Sequence, residues 1–101
     1  MTVPAQRIDK WLWYARFFKS RSQAAREVQA GKIRINRQRV MKASAGLKVG
    51  DILTFCRGSR VLVVQVMELG ARRGPSEEAQ GLYFLLNEQR PTPKREMQAA
   101  E

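Results

Sequence analysis

The sequence predicts a small α+β domain in which two helices pack on an antiparallel sheet. An apolar period of three to four residues runs through about residues 7–31, which is typical of helices. After Gly31 the period changes to the alternation of strands, which continues to about residue 69. The chain has 101 residues, a length that suits one domain. We therefore expect a single domain over residues 1–86, followed by a polar, flexible tail over residues 87–101.

The first two elements are helices joined by a short turn. Residues 7–18 predict a helix with Asp9 in its first turn, where a negative charge suits the helix dipole. Its apolar stripe consists of Ile8, Trp11, Leu12, Ala15 and Phe18. Ser20 is a suitable N-cap for a second helix over residues 21–30, and Gly31 is a suitable left-handed stop.

A strand and a turn follow the helices. Residues 32–36 alternate, so that Ile33 and Ile35 share one face while Lys32, Arg34 and Asn36 share the other. Residues 36–38 predict a turn into a short returning strand at residues 39–40.

The second half of the chain predicts the rest of the sheet. Residues 52–56 and 60–68 have strand patterns, and the second of these has the highest β-branched content in the chain. Ser76 is a candidate cap for a helical turn at residues 77–79, and residues 82–86 form a last apolar element. Cys56 lies in a predicted strand among apolar neighbours, which favours a buried structural thiol over a nucleophile. Asp51 is interpreted as a turn residue.

The charge is strongly uneven along the chain. The formal net charge is +10, and residues 1–50 carry twelve basic and only two acidic side chains. Residues 51–101 carry seven of each sign, so the whole excess lies in the first half. This distribution predicts a polyanionic partner, and by itself it is compatible with RNA, DNA or an anionic membrane.

Residue types suited to catalysis are scarce. Histidine is absent, Cys56 is the only cysteine, and the sequence has no phosphate-binding glycine loop or nucleophile motif. We therefore predict that the protein is not an enzyme, and that it has no catalytic residue, no metal site and no cofactor. Apolar runs never exceed five residues and no signal peptide is recognisable, so we expect a cytoplasmic protein without a membrane partner.

The cations fall where an RNA-binding surface would need them. Lys19 and Arg21 flank Ser20 at a helix start, where free backbone N–H groups can join them in holding a phosphate. Lys32 and Arg34 share a strand face with Asn36, which can hydrogen-bond a base or a ribose hydroxyl. Two aromatic residues, Trp13 and Phe17, have two open interpretations: a second strip of core, or exposed rings that stack on bases.

Several separated motifs resemble a known family. The stretches RIDKWLW (7–13), KSR (19–21), GKIRIN (31–36) and KVGD (48–51) resemble the S4-type RNA-binding domain of ribosomal proteins. The stretches WLW and ARFFKSR (11–21), with RRGPSEEA (72–79), resemble the heat-shock protein 15 family of small bacterial S4-type proteins. The resemblance covers about residues 7–86, with the motif core at 7–69.

This resemblance implies an αL-type RNA-binding fold whose two helices and following hairpin form the RNA face. It implies a protein that binds ribosomal RNA on large subunits still carrying peptidyl-tRNA, in ribosome rescue. By position it implies Asp9 as a residue that orients a neighbouring arginine. The matching positions, joined by Arg16 and Arg37 from the charge pattern, give twelve candidate RNA-binding residues: Arg7, Asp9, Lys10, Arg16, Lys19, Ser20, Arg21, Arg26, Lys32, Arg34, Asn36 and Arg37.

The sequence departs from the family at two places. The family has Asn-Gly at the hairpin turn, whereas Asn36 is followed here by Arg37, which leaves the turn type open. Longer members of the family carry a basic C-terminal extension, whereas the tail over residues 87–101 is electrically neutral here. Two other functions remain open: an RNA-delivery subunit of an RNA-modifying enzyme, and a general nucleic-acid binder. The expected oligomeric state is a monomer.

Overall fold

The structure is a computed structural model that describes residues 3–87, and it is an α+β domain as predicted. Its elements in chain order are β1 (Gln6–Arg7), α1 (Ile8–Tyr14), α2 (Arg21–Gln29), β2 (Ile33–Ile35), β3 (Gln38–Val40), β4 (Gly46–Leu47), β5 (Ile52–Arg57), β6 (Arg60–Val66), α3 (Ser76–Gln80) and β7 (Tyr83–Leu85). Nearly all of the predicted tail lies outside the described residues.

Five strands form one antiparallel sheet in the order β3-β2-β5-β6-β7. Helices α1 and α2 cover one face of this sheet, where Leu53 and Val64 are fully buried in the same core as Trp11 and Leu12. The prediction of two helices on a small antiparallel sheet is therefore confirmed. A separate pair, β1 with β4, was not predicted, because two-residue strands leave no alternation to detect.

Helix α1 ends at Tyr14, four residues earlier than predicted. Arg16 has a φ of +66°, in the left-handed region, and its N–H donates to the carbonyl of Trp13. The N–H of Phe17 donates to the carbonyl of Leu12, which completes a Schellman motif. The apolar stripe still reaches the core, because the turn at Arg16 directs Phe17 and Phe18 towards the sheet, where both are buried.

Helix α2 ends in the same motif, and here the prediction is confirmed. Gly31 has a φ of +75° and donates its N–H to the carbonyl of Val28, while Lys32 donates to the carbonyl of Glu27. Glycine adopts this conformation without the steric penalty that a side chain brings. The two helices therefore end alike, with arginine in one at the position that glycine occupies in the other.

The β2–β3 hairpin has a two-residue turn in which both residues are left-handed. Asn36 has a φ of +50° and Arg37 a φ of +76°, the signature of a type I′ turn. The departure from Asn-Gly therefore leaves the turn type unchanged. Its consequence is that a bulky cation occupies a position that favours glycine.

Two local predictions were wrong. Cys56 is exposed rather than buried, because β5 alternates and the buried positions are Leu53 and Phe55. Ser76 does not cap α3; the N-cap position belongs to Pro75, which makes no side-chain cap bond.

The loop between β6 and α3, residues 67–75, fastens the C-terminal half to α1. The indole N–H of Trp11 donates to the carbonyl of Glu68 (2.9 Å), and Trp11 is fully buried. The Gln6 side-chain amide both donates to the carbonyl of Gly70 (2.7 Å) and accepts from its N–H (3.0 Å). These bonds fix the start of α1 against the sheet, and with it the position of the candidate site.

Candidate nucleic-acid interface

A single buried carboxylate gathers two of the candidate arginines. Both oxygens of Asp9 accept hydrogen bonds from the Arg7 guanidinium (3.1 and 3.0 Å), and Nε of Arg21 lies 3.6 Å from Oδ2 of Asp9. The Asp9 side chain is 3% exposed, while Arg7 and Arg21 are 48% and 42% exposed. The hydrogen bond to Asp9 raises the pKa of Arg7 above its ordinary value, so the guanidinium stays charged. The role expected for Asp9, the orientation of a neighbouring arginine, matches this geometry.

The start of α2 is ordered by its predicted cap. The Ser20 hydroxyl oxygen accepts from the N–H of Gln23 (3.0 Å), and the Gln23 side chain accepts from the N–H of Lys19 (3.2 Å). The other N–H groups of a helix's first turn have no acceptor within the helix. Arg21, the first residue of α2, therefore combines an Asp9-oriented guanidinium with a helix N-terminus, an arrangement that suits a phosphate.

Two further candidate arginines have backbones in the left-handed region. Among residues 3–87, the non-glycine residues with positive φ are Arg16, Asn36 and Arg37. A left-handed conformation costs a non-glycine residue about 1–2 kcal/mol. Arg16 recovers part of this cost, since its Nε donates to the carbonyl of Gly74 (2.7 Å). Arg37 is exposed at the tip of the hairpin.

The remaining candidate cations divide between the two sides of the sheet. Lys10 lies over the ring of Tyr14 on α1, at 5.9 Å from its centroid, and Arg26 is exposed on α2. Lys32 is exposed just before β2. Arg34 is exposed between inward-facing Ile33 and Ile35, so it lies on the sheet face opposite to the helices. The structure therefore brings Arg7, Asp9 and Arg21 together and places Arg34 away from them.

The side chain of Asn36 is exposed, but most of its hydrogen-bonding capacity is used by other residues of the protein. Its amide donates to Oδ1 of Asp51 (3.0 Å) and its carbonyl oxygen accepts from the N–H of Ile52 (2.9 Å). Asp51 also accepts from the N–H of Lys48 (2.9 Å), which supports its interpretation as a turn residue. Asn36 thus holds the hairpin turn against the start of β5, and one amide N–H remains for a ligand.

Phe17 and Trp13, whose role as core or as base-stacking residues was open, differ in burial. Phe17 is buried, with its ring centroid 4.6 Å from that of Tyr83 and 5.0 Å from that of Phe55, so it belongs to the core. Trp13 is half-buried, and the guanidinium of Arg73 lies 5.6 Å from its ring centroid. One face of Trp13 is therefore already occupied by a cation.

Arg73 is a residue that the sequence analysis missed. It donates to the carbonyls of Trp13 (3.2 Å) and Phe18 (3.3 Å), on either side of the Schellman turn that ends α1. These acceptors lie more than fifty residues away along the chain, so no local pattern signals the contact. Arg73 fixes the segment that leads into α2.

Two other features are absent from residues 3–87. These residues contain no group of three or more cysteine, aspartate or glutamate side chains arranged to hold a metal ion. None of their helices combines the length and apolar character that are needed to cross a bilayer.

Comparison with known proteins agrees with this architecture. The S4 domain family matches residues 6–53, from β1 into β5. The RQC P-site tRNA stabilizing factor of Bacillus subtilis is 38% identical over 84 residues, which cover 83% of this chain and 95% of that protein. The chain belongs to the S4-domain family. It is also 40% identical over 77 residues to the heat shock protein 15 homolog of Haemophilus influenzae, and 39% identical over the same length to heat shock protein 15 of Escherichia coli.

The S4-domain relatives differ in how much of them this chain covers. The alignments cover 58% of the Haemophilus protein and 57% of the Escherichia coli protein, so the chain spans less than two thirds of those relatives. A trimeric structure of Vibrio cholerae heat shock protein 15 matches with a TM-score of 0.77 and 36% identity, covering 81% of this chain and 82% of that one. The S4 match includes all twelve candidate residues, whereas the loop at 67–75 lies beyond it.

Proposed function

We propose that this S4-domain protein binds folded ribosomal RNA on the large ribosomal subunit and stabilises subunits that still carry peptidyl-tRNA. The names of its relatives support this function: heat shock protein 15, and an RQC P-site tRNA stabilizing factor that aligns over 95% of its length. In this proposal the protein has no catalytic activity of its own and acts as a monomer. It works in the cytoplasm, where the large ribosomal subunit is found.

The observation that carries the proposal is the Asp9-held arginine pair. A guanidinium that is already oriented loses less conformational freedom when it binds a phosphate than a free one does. Arg7 and Arg21 each keep close to half of their surface free while Asp9 restrains them. Lys10 on α1, Lys19 just before α2 and Arg26 on α2 add positive charge to the same two helices.

The test is co-sedimentation with purified large subunits, with and without peptidyl-tRNA, over a series of salt concentrations. If roughly five to eight phosphates are engaged, log K falls with log salt at a slope of about −3.5 to −7. Arg21→Ala should weaken binding and flatten the slope by about one unit. The matched control is Arg60→Ala, an exposed arginine in the electrically neutral half, which should leave the slope unchanged. Equal slopes for wild type and Arg21→Ala would contradict the proposed surface.

The same samples separate the proposal from its alternatives. A delivery subunit would co-purify stoichiometrically with an RNA-modifying enzyme, and a general binder would hold duplex DNA as tightly as the large subunit. Sedimentation equilibrium tests the monomer, since the similar Vibrio cholerae protein has a trimeric structure. Preference for subunits carrying peptidyl-tRNA is the result that supports the proposed function.

A further inference from the structure

The sheet has a second face that no element of residues 3–87 covers. Side chains there come from β2, β5, β6, β7 and the residue that follows β7, and we call this surface the outer sheet face. It is defined by Arg34, Ile52, Thr54, Val63, Phe84 and Leu86. Phe84 is 58% exposed and Leu86 is 43% exposed, which is unusual for large apolar residues at neighbouring positions on one strand face.

A groove of about 390 Å³ lies on the outer sheet face. Its lining residues are Asn36, Arg37, Ile52, Thr54, Val63 and Leu86. The volume falls within the range of about 300–1,000 Å³ that is typical of small-molecule sites. The hairpin turn therefore supplies a cation and an amide at one end, while three aliphatic side chains and the Thr54 side chain form the rest.

The register orders these chemistries across the sheet. Arg34 pairs with Arg39 on β3 and with Thr54 on β5, Thr54 pairs with Val63 on β6, and Leu86 donates its N–H to the carbonyl of Val63. One row of side chains thus changes from cationic to apolar as it crosses from β3 to the end of β7. Phe84 lies two residues from Leu86 on the same face, about 7 Å along the strand.

We propose that the outer sheet face binds an unpaired RNA nucleotide, with its base in the apolar groove beside Phe84 and its phosphate at Arg37 and Arg34. A nucleotide has one anionic end and one flat, apolar-faced end, which matches the order of charges along the row. The proposal rests on the proposed function in taking RNA as the ligand. Its residues lie on the sheet face opposite to the helices that carry Arg7 and Arg21.

Two observations favour RNA over a second copy of this chain. A second copy seated on this face would bring another molecule of charge +10 towards Arg34 and Arg39, which electrostatic repulsion opposes. In addition, Arg37 keeps a bulky cation at the rim of the groove although its backbone conformation favours glycine. Strained residues of this kind concentrate at binding sites.

The test compares two RNA probes, a fluorescent uridine hexamer and a blunt-ended RNA duplex, by anisotropy. Phe84→Ala should weaken binding of the hexamer by about 5- to 100-fold, because stacking on an aromatic ring is lost. It should leave duplex binding unchanged within about twofold. The matched control is Met41→Ala, since Met41 is 59% exposed, follows the end of β3 and is not one of the residues that define the outer sheet face or line its groove. Arg37→Gly should also weaken hexamer binding. Because glycine readily adopts the left-handed conformation of residue 37, this variant should keep the hairpin turn intact.

The outcomes distinguish RNA binding at the outer sheet face from RNA binding at the helices that carry Arg7 and Arg21, and from binding of other partners. Arg21→Ala should reduce binding of the duplex and of the large subunit. If it does not, that result counts against the proposed function. The effect of Phe84→Ala on hexamer binding is a separate measurement and still tests the nucleotide site. Equal hexamer affinity for wild type and Phe84→Ala would overturn the nucleotide site. So would a wild-type oligomer that Phe84→Ala dissociates, or binding to vesicles of anionic lipid that Phe84→Ala abolishes while hexamer binding persists.

Discussion

Residues 3–87 contain two arginine–carboxylate clusters that differ in the burial of the carboxylate. In the first half, Asp9 is 3% exposed and restrains Arg7 and Arg21. In the second half, Glu78 is 43% exposed and accepts from Nε (3.2 Å) and a terminal nitrogen (2.6 Å) of Arg72, which is 68% exposed. Water competes for every partner in the exposed pair, whereas the buried carboxylate depends on its arginines and on its protein surroundings. Of these two carboxylates, the buried one is therefore the better suited to hold its arginines in a fixed position, as the proposed binding surface requires.

The largest expected effect comes from removing that anchor. Asp9→Ala should lower the free energy of unfolding by about 1–3 kcal/mol, because two guanidinium groups lose a partner in the folded state. It should also weaken binding to the large subunit about tenfold, equivalent to about 1.4 kcal/mol, although it removes a negative charge from the proposed RNA-binding surface.

The matched control for Asp9→Ala is Glu27→Ala, which removes the other acidic side chain of residues 1–50. If only charge matters, both variants should bind RNA more tightly than the wild type. If Asp9 orients the arginines, Asp9→Ala should bind more weakly and Glu27→Ala more tightly. Urea denaturation and subunit co-sedimentation measure the two quantities. Tighter binding by both variants would show that Asp9 is not a positioning residue.

A second prediction compares two adjacent arginines of the 67–75 loop. Arg73→Ala should destabilise the fold by about 1–3 kcal/mol, because the carbonyls of Trp13 and Phe18 lose a charged donor. Arg72→Ala removes the same charge from an exposed pair and should have a much smaller effect on the unfolding midpoint. Urea unfolding of both variants measures the difference, and equal midpoints would contradict the role assigned to Arg73.

A third prediction concerns the hairpin turn, where stability and binding should change in opposite directions. Arg37→Gly should raise the free energy of unfolding by about 1 kcal/mol, since glycine relieves the left-handed strain. The variant should nevertheless bind the uridine hexamer more weakly. Arg60→Ala provides a control for the loss of one positive charge in a hairpin that closes with a glycine, Gly58. A variant that is both less stable and fully active in binding would contradict this account.

The smallest expected effect is the pH dependence of the exposed pair. The hydrogen bond from Arg72 lowers the pKa of Glu78 below its ordinary value in the folded protein. The stabilisation by this pair is therefore present above the unfolded-state pKa and is lost as pH falls through the lower folded-state pKa. The melting temperatures of wild type and Glu78→Gln should differ slightly at about pH 7 and converge at about pH 3. A gap that widens at low pH would contradict this assignment.

The sequence predicted what depends on local patterns. The alternation at residues 32–36, the Ser20 cap and the Gly31 stop were all visible, because each acts through neighbours within a few residues. The early end of α1 was not visible, since arginine carries no signal for a left-handed position. Cys56 could have been placed correctly by counting the alternation from Leu53 and Phe55.

The candidate site was predictable in its charges and unpredictable in its contacts. The concentration of cations in residues 1–50 follows from counting, and the resemblance suggested that Asp9 orients an arginine. The meeting of Arg21 with Asp9 depends on how α2 packs against α1, and the position of Arg73 depends on how the loop that follows β6 packs against the end of α1. Contacts of this range have no signature in a single sequence.

The side chain of Asn87 continues the sheet beyond the end of β7. Its amide donates to the carbonyl of Val61 (2.7 Å) and accepts from the N–H of Val63 (2.9 Å), as the backbone of one more strand residue would. Two polar groups of β6 are thereby withheld from pairing with the strand of another molecule. Asn87→Ala should consequently make concentrated solutions prone to edge-to-edge aggregation, which light scattering would detect, because one amide group then no longer covers these two backbone groups.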